Sequence, residues 1–162
     1  MHLKVCCIAS VTEAQLAIAH GASCVGLVSQ MPSGPGVIDE AVIREITATL
    51  PAHVESWLLT SLHRADDIIA QHERCRPTTL QLVDAVEHMD TYRTLRDALP
   101  GVLLVQVIHV IDESSRAEAV QVAPFVDRIL LDSGNPRPAV KELGGTGRTH
   151  NWEISRQIRD AV

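Results

Sequence analysis

The run Val102-Leu103-Leu104-Val105-Gln106-Val107-Ile108-His109-Val110, with Arg128-Ile129-Leu130-Leu131-Asp132 after it, decides the fold that the sequence predicts. Both runs are apolar on what would be both faces of a strand, which is typical of strands buried in a parallel sheet. Between them lies Glu113–Ala123, a stretch with helical spacing that ends at Pro124. Strand, helix and strand in this order predict two parallel strands joined by a helical crossover.

The same unit recurs along the whole chain. The predicted strands are Leu3–Ile8, Cys24–Ser29, Val54–Thr60, Leu80–Val83, Val102–Val110 and Arg128–Asp132. The predicted helices are Thr12–His20, Asp39–Leu50, His63–Arg74, Val86–Leu99, Glu113–Ala123 and Trp152–Val162, with Ser10 and Asn151 as N-caps. Such a series fits either an open doubly wound sheet or a (β/α) barrel, and the pattern alone does not separate them. No linker divides the chain, so we expect one domain over residues 1–162.

Composition narrows the class of protein. With 162 residues, 46% of them hydrophobic, the chain can bury a substantial core. A net charge of −6 and 2% aromatics disfavour nucleic-acid binding, and no stretch has the length of a membrane-spanning helix. The amino terminus lacks the zones of a signal peptide. The four cysteines include no CxxC pair, so we expect reduced thiols in the cytoplasm, without disulfides or zinc.

A glycine-rich segment precedes the last predicted helix. Gly144-Gly145-Thr146-Gly147-Arg148-Thr149 leads into Asn151-Trp152. Glycines let backbone N–H groups approach an anion, and a helix N-terminus adds positive potential. The pattern predicts a phosphate site at Gly145, Thr146, Gly147 and Arg148, although an ordinary loop would show the same residues.

Chemistry in parallel α/β architectures gathers at the carboxyl ends of the strands. Cys6 and Asp132 both stand there, and a thiol and a carboxyl group suit paired proton transfer. Gln81 and His109, near the ends of the fourth and fifth strands, are candidates for substrate contact. Structural roles compete with these assignments: Cys6 as a small buried apolar residue, Asp132 as a cap on the next turn, and His109 as a hydrogen-bonded core residue.

These stretches resemble the phosphoribosylanthranilate isomerase family over nearly the whole chain. The family's Lys-Ile-Cys-Gly-Ile is matched by Lys4–Ile8, its Gln-Leu-His-Gly by Gln81–Asp84, and its Leu-Leu-Leu-Asp by Ile129–Asp132. Its Gly-Ala-Asp-x-x-Gly-Phe-Val is matched by Gly21–Val28. The most specific match is Gly144–Trp152, which corresponds to Gly-Gly-Thr-Gly-Lys-Thr-Phe-Asp-Trp.

The resemblance implies a TIM barrel that catalyses an Amadori rearrangement in tryptophan biosynthesis. The family's substrate, N-(5'-phosphoribosyl)anthranilate, becomes a 1-deoxyribulose 5-phosphate. Cys6 would be the general base that removes the sugar C2 proton, and Asp132 the general acid that opens the furanose ring. Gly145, Thr146 and Gly147 would grip the phosphate of this small-molecule substrate. No metal or organic cofactor is implied, because ring opening and proton shifts need only a matched acid and base.

The sequence departs from the family at three places in this site. The loop arginine that meets the anthranilate carboxylate is replaced by Gly34-Pro35-Gly36, the family's histidine by Val83, and a glycine by Cys7. Losing the arginine removes a bidentate partner for a carboxylate. Two other functions therefore stay open: an isomerase for another phosphorylated sugar, and a non-catalytic homologue that binds a phosphorylated ligand or a partner chain.

The number of units is the largest departure. The family continues through two further βα units after the sixth, so the sequence predicts an incomplete or partner-closed barrel of six units. Unpaired strands invite pairing with another chain. A homo-oligomer that closes the sheet, a longer natural sequence and a rearranged fold are the three arrangements left open.

Overall fold

The computed structural model describes residues 2–134 and 147–162, and its centre is a six-stranded sheet in the order β1 to β6. Every neighbouring pair of strands is parallel. The sheet is curled like part of a barrel, so the predicted (β/α) TIM-barrel-type fold is confirmed. The strands are β1 (Lys4–Val5), β2 (Cys24–Val28), β3 (Glu55–Thr60), β4 (Thr79–Leu82), β5 (Leu103–His109) and β6 (Arg128–Asp132).

Helices connect successive strands. They are α1 (Val11–Ala19), α2 (Glu40–Thr49), α3 (Ala65–Cys75), α4 (Asp90–Ala98), α5 (Ser114–Val122) and α6 (Trp152–Ala161), with a short 3-10 turn at Ala123–Phe125. None of them, in the part of the chain described, has the length and apolarity needed to cross a bilayer.

The strands divide their side chains between two faces because successive residues point to opposite sides of a sheet. Val25, Leu58 and Leu104 belong to the large core between the sheet and the helices. Trp57, Val105 and Val107 belong to a second cluster on the concave face. Lys4, Gln81 and Asp132 lie on the same face as this second cluster.

Both predicted N-caps are confirmed. The Ser10 side chain accepts a hydrogen bond from the Glu13 backbone N–H, and Glu13 in return accepts from the N–H of Ala9. Asn151 caps α6 by accepting from the N–H of Glu153. These contacts satisfy backbone donors that a helix start leaves unpaired.

Three predicted bounds were wrong. The first strand was expected over Leu3–Ile8 but ends at Val5, because Cys7 has a φ of +59°, which breaks extended backbone. The third and fourth helices begin later than the predicted His63 and Val86. The loop before α3 and the loop before α4 contact each other instead. His63 Nδ1 lies 2.7 Å from the Ala85 carbonyl, and the Glu87 N–H donates to the His63 carbonyl at 3.0 Å.

The two outermost strands are less buried than the rest. All residues of β2 and β4 are buried, whereas every residue of β1 and β6 is only half-buried. Among the described residues, β1 pairs only with β2, and β6 only with β5. The sheet therefore presents two open edges in the part of the chain that the structure describes.

Candidate functional site

A cavity of about 240 Å³ opens on the concave face at the carboxyl ends of the strands. It joins the two residues proposed for proton transfer, since both Cys6 and Asp132 line it. Gln81, one of the predicted substrate contacts, lines it as well. The other lining residues are Lys4, Cys7, Val28, Met31, Ser33, Gly34, Pro35, Leu59, Val107 and Leu130.

Cys6 is exposed and not a buried apolar residue, so the structural alternative for this cysteine is wrong. Its sulfur lies 3.7 Å from Lys4 Nζ. Lys4 Nζ in turn donates to Gln81 Oε1 at 2.7 Å and lies 5.0 Å from the centre of the Trp57 ring. A cation held beside a sulfur stabilises the thiolate, which is the form that accepts a proton.

Room for this arrangement comes from Gly26 in β2. A Cβ atom at that position would lie 2.7 Å from Cys6 Sγ and 3.0 Å from Lys4 Cε. The first distance is shorter than real Cβ atoms show and the second is unusually tight, so a side chain at position 26 would displace the thiol from its present place.

Asp132 has two partners at the end of β6. Its Oδ2 accepts from the Gly134 N–H at 3.1 Å, so the expected capping role is present. The same oxygen lies 3.6 Å from His109 Nδ1, an ion-pair distance. The His109 side chain, and then the N–H groups of Ser133 and Gly134, hold the pKa of Asp132 below its usual range.

His109 does not line the cavity that contains Cys6, although it was predicted to contact substrate. It is buried beside Asp132, its direct neighbour across the β5–β6 pair, and Nε2 lies 2.9 Å from the Val83 carbonyl. His109 lines a separate, smaller cavity of about 120 Å³, together with Asp84 and Glu118.

The Cys7 side chain lies directly against the backbone of Gly36. A Cβ atom at Gly36 would lie 2.6 Å from Cys7 Cβ and 2.8 Å from Cys7 Sγ. The Cys7 side chain thus fills the space that any side chain at position 36 would need. Two departures from the resembled family, the extra cysteine and the loop that lacks the arginine, thus lie against each other. Burial, and then the neighbouring Cys6, raise the pKa of Cys7, which keeps it a neutral thiol.

The predicted phosphate segment is described only in part. Gly145 and Thr146 lie outside the described residues, so their contacts stay a prediction. Gly147 has a φ of +64°, a left-handed conformation that suits glycine, and Arg148 follows it ahead of α6. Neither lines the cavity that contains Cys6 and Asp132.

Sequence reasoning missed Lys4, the cation beside Cys6. Its signal was available, because Lys4 and Cys6 are two residues apart and such positions share a face of extended chain. It also missed the coupling of Cys7 to Gly36, for which a single sequence carries no signal.

His2, Cys24 and Glu55 have the composition of a metal-ligand set, with ligand atoms within 4.8 Å of one another. However, both oxygens of Glu55 already accept from Arg128, at 2.6 and 2.9 Å, and Trp57 Nε1 donates to one of them at 2.7 Å. A metal ion would have to displace this guanidinium, so the geometry favours an ion pair.

Several similar proteins are N-(5'-phosphoribosyl)anthranilate isomerases. The N-(5'-phosphoribosyl)anthranilate isomerase of Haloferax volcanii is 31% identical over 163 residues, which cover 99% of this chain and 68% of that protein. The corresponding protein of Methanocella arvoryzae is 29% identical over 160 residues, with 99% and 72% covered. No family model matches the chain.

Solved structures show the same fold. The phosphoribosyl anthranilate isomerase of Thermotoga maritima superposes with a TM-score of 0.80 at 24% identity, over 99% of this chain and 73% of that one. A phosphoribosyl anthranilate isomerase in complex with reduced 1-(o-carboxyphenylamino)-1-deoxyribulose 5-phosphate gives 0.70 at 23% identity, over 82% of this chain and 64% of that one.

Fold and site define a protein of the (β/α)-barrel type with a thiol and a carboxylate in one cavity at the carboxyl ends of its strands. Its identity to the Haloferax volcanii protein, over more than two thirds of that protein, makes the assignment specific. The chain belongs to the N-(5'-phosphoribosyl)anthranilate isomerase family.

Alkylation tests the activated thiol. We expect iodoacetamide to label Cys6 first, because it is exposed and stands beside Lys4, whereas burial raises the pKa of Cys24 and raises that of Cys75 to about 11. Lys4→Met should slow labelling of Cys6 by roughly three- to tenfold. Peptide mass spectrometry measures both rates, with Cys6→Ser as the unlabelled control. An unchanged rate in Lys4→Met would show that the ammonium does not activate the sulfur.

A double-mutant cycle tests the Cys7–Gly36 coupling. Gly36→Ala should lower the free energy of unfolding by about 1–2 kcal/mol for left-handed strain, with an added cost for the clash. Gly34→Ala is the matched control, because its φ is +110° and nothing lies within 4 Å of an added Cβ. In the Cys7→Gly background only the strain cost should remain. Equal losses in both backgrounds, by urea unfolding, would contradict the coupling.

Proposed function

We propose that this protein is an isomerase that converts N-(5'-phosphoribosyl)anthranilate to its 1-deoxyribulose 5-phosphate by an Amadori rearrangement, a step of tryptophan biosynthesis. The observation that carries the proposal is the shared cavity of Cys6 and Asp132, in a chain that belongs to this family. Its acid and base come from opposite ends of the described sheet, on either side of one space of about 240 Å³.

Each group has a defined task in the proposed reaction. Asp132 delivers a proton to the ring oxygen while the bond from that oxygen to C1 breaks. The electron pair of that bond stays on oxygen, and the lone pair of the anthranilate nitrogen forms a C1=N bond. Cys6, as thiolate, then removes the proton from C2, and the resulting enolamine becomes the ketone by moving a proton from the C2 hydroxyl to C1. Positioned acid–base catalysis of this kind contributes roughly 10²- to 10⁴-fold per group.

The segment before α6 is the proposed binding site for the phosphate of the substrate. Glycine N–H groups at Gly145 and Gly147, the Thr146 hydroxyl and the Arg148 guanidinium are the proposed partners. Support comes from the conformation of Gly147 and from the N-terminus of α6 that follows, since both features favour anions.

A second substrate class is favoured by one observation. Among the described residues that line the cavity, the one cation is Lys4, and it lies beside Cys6 and Gln81. The loop at Gly34–Gly36 presents no charge to a carboxylate. A phosphorylated sugar amine without that carboxylate fits this end of the cavity. Such a substrate should therefore be assayed in parallel with N-(5'-phosphoribosyl)anthranilate.

The isomerase assay is the first test. Loss of the fluorescence of N-(5'-phosphoribosyl)anthranilate should follow turnover by the parent protein. We expect Cys6→Ser and Asp132→Asn each to lower kcat by at least about 10²-fold, because they remove the base and the acid. Cys24→Ala is the matched control and should keep the parental kcat, since Cys24 is buried at the amino end of β2.

Turnover on neither substrate would leave a non-catalytic, ligand-binding homologue. Thermal unfolding with and without ribose 5-phosphate separates that outcome from loss of the site. A bound ligand raises the melting temperature by mass action, whereas an absent site leaves it unchanged.

We also propose that copies of this chain associate through the open edges at β1 and β6, and that the enzyme works in the cytoplasm, where thiols stay reduced. The half-buried residues of both strands support the association. Next to β6, Ile129, Leu131 and Ile158 line an exposed groove of about 410 Å³.

Sedimentation velocity over a range of concentrations measures this association. The parent should form a dimer or larger species, and Leu131→Glu should shift the distribution towards monomer because it places a charge on the β6 edge. Val120→Lys, on the exposed face of α5, is the control and should change nothing. A parent that stays monomeric at all concentrations would rule the association out.

A further inference from the structure

The orientation of the His109 ring determines where its protons lie. Nε2 lies 2.9 Å from the backbone carbonyl oxygen of Val83. A carbonyl can only accept a hydrogen bond, so Nε2 carries a proton and donates it. The Ser115 hydroxyl donates to the carbonyl of His109 itself at 3.0 Å, which holds the backbone at this point.

The second ring nitrogen faces the acid. Nδ1 is buried and has no partner within hydrogen-bond distance among the described residues. Asp132 Oδ2 lies 3.6 Å from it. If both groups lacked a proton here, a nitrogen lone pair would face a carboxylate in a buried setting, which is costly. A proton between Nδ1 and Oδ2 removes that repulsion, whichever of the two atoms holds it.

The sheet itself holds this pair together. His109 ends β5 and Asp132 ends β6, and the two are direct partners in the register of those parallel strands. Their backbones are joined further along by the Val110 N–H, which donates to the Asp132 carbonyl at 2.8 Å. The pair is therefore part of the scaffold and does not depend on a loop.

We propose that His109 is a positioning residue that keeps a proton on the His109–Asp132 pair, so that Asp132 can act as the general acid at neutral pH. The inference rests on the proposed isomerase function and explains how its acid is supplied. An isolated carboxyl group near its usual pKa of about 3.9 is ionised at neutral pH and has no proton to give.

The electrostatics of the pair support this arrangement. Burial by itself lowers the pKa of His109, but Asp132, the Val83 carbonyl and the charge of Asp84 outweigh it, so that the pKa is raised. The pKa of Asp132 is lowered, with His109 as the main cause. In the resting enzyme the shared proton therefore resides on the imidazole, and the pair as a whole stores it.

The proton moves in two linked transfers. Asp132 takes the proton from His109 Nδ1 and passes a proton to the ring oxygen as the bond to C1 breaks. The His109–Asp132 pair has then lost one proton, which leaves a neutral imidazole and a carboxylate. Cys6 has gained the proton from C2. The balance over one turnover is zero, and solvent exchange returns the proton from the thiol to the pair.

A route for that return exists on the far side of His109. The cavity of about 120 Å³ brings together His109, Asp84, Ser114 and Glu118. Burial raises the pKa of Glu118, which favours the protonated form of this carboxyl group. The titratable groups that face His109 are thus Asp132 on β6, Asp84 after β4 and Glu118 on α5. The charges of Asp132 and Asp84 favour the protonated form of His109.

NMR titration of the histidine ring nitrogens tests the pair without any assay of activity. In ¹⁵N-histidine-labelled protein, Asp132→Asn should lower the pKa of His109, because a neighbouring negative charge is removed. The exposed His88 is the internal control and should titrate at an unchanged pH. An unchanged His109 titration in Asp132→Asn would overturn the proposal, even in an active enzyme.

The pH dependence of kcat tests the role in catalysis. In the parent, kcat should fall as pH rises through the pKa of the pair. His109→Asn keeps an amide donor near Asp132 but no titratable proton, so kcat at pH 7.5 should fall by roughly 10- to 100-fold with KM within about twofold. The alkaline limb should shift to lower pH.

A purely structural histidine gives a different result. His109→Asn would then lower kcat by the same factor at every pH, and that outcome would overturn the proposal. If the parent turns over neither substrate, the isomerase function fails on its own, while the NMR titration still decides whether His109 and Asp132 share a proton.

Discussion

Alternation of side chains along parallel strands is the constraint on which this structure depends. Each strand sends one set of residues to the helices and the other to the concave face, with a period of two. Lys4, Gln81 and Asp132 therefore meet on one side, although they are far apart in sequence. The same rule places Val25, Leu58 and Leu104 in the core beneath the helices. A shift of one residue in any strand would exchange the two sets.

The concave face is crowded, so its polar side chains fit only where neighbouring residues are small. Gly26 leaves space for the Cys6 thiol and the Lys4 ammonium, and Gly36 leaves space for Cys7. The second case changes how the departures from the family are understood. A side chain added at position 36 would clash with Cys7 in this structure, so the two departures lie against each other.

Acid and base are separated by their environments. The thiol of Cys6 stands beside a cation, whereas the carboxyl group of Asp132 stands beside an imidazole at the end of the neighbouring strand. The imidazole of His109 is the main cause of the lowered pKa of Asp132. The site therefore consists of two pairs, each held by the β-sheet, and not of two isolated residues.

The sequence by itself determined the order of strands and helices, the parallel sheet, both N-caps and the presence of Cys6 and Asp132 at strand ends. These features follow from local periodicity and from strand–helix alternation, which neighbouring residues encode. Only the tertiary structure decided that Lys4 lies beside Cys6, that Cys7 fills the place above Gly36, and that His109 faces Asp132 and not the main cavity. Those facts depend on register and on distances between strands, and contacts across a curled sheet leave no local signal in the chain.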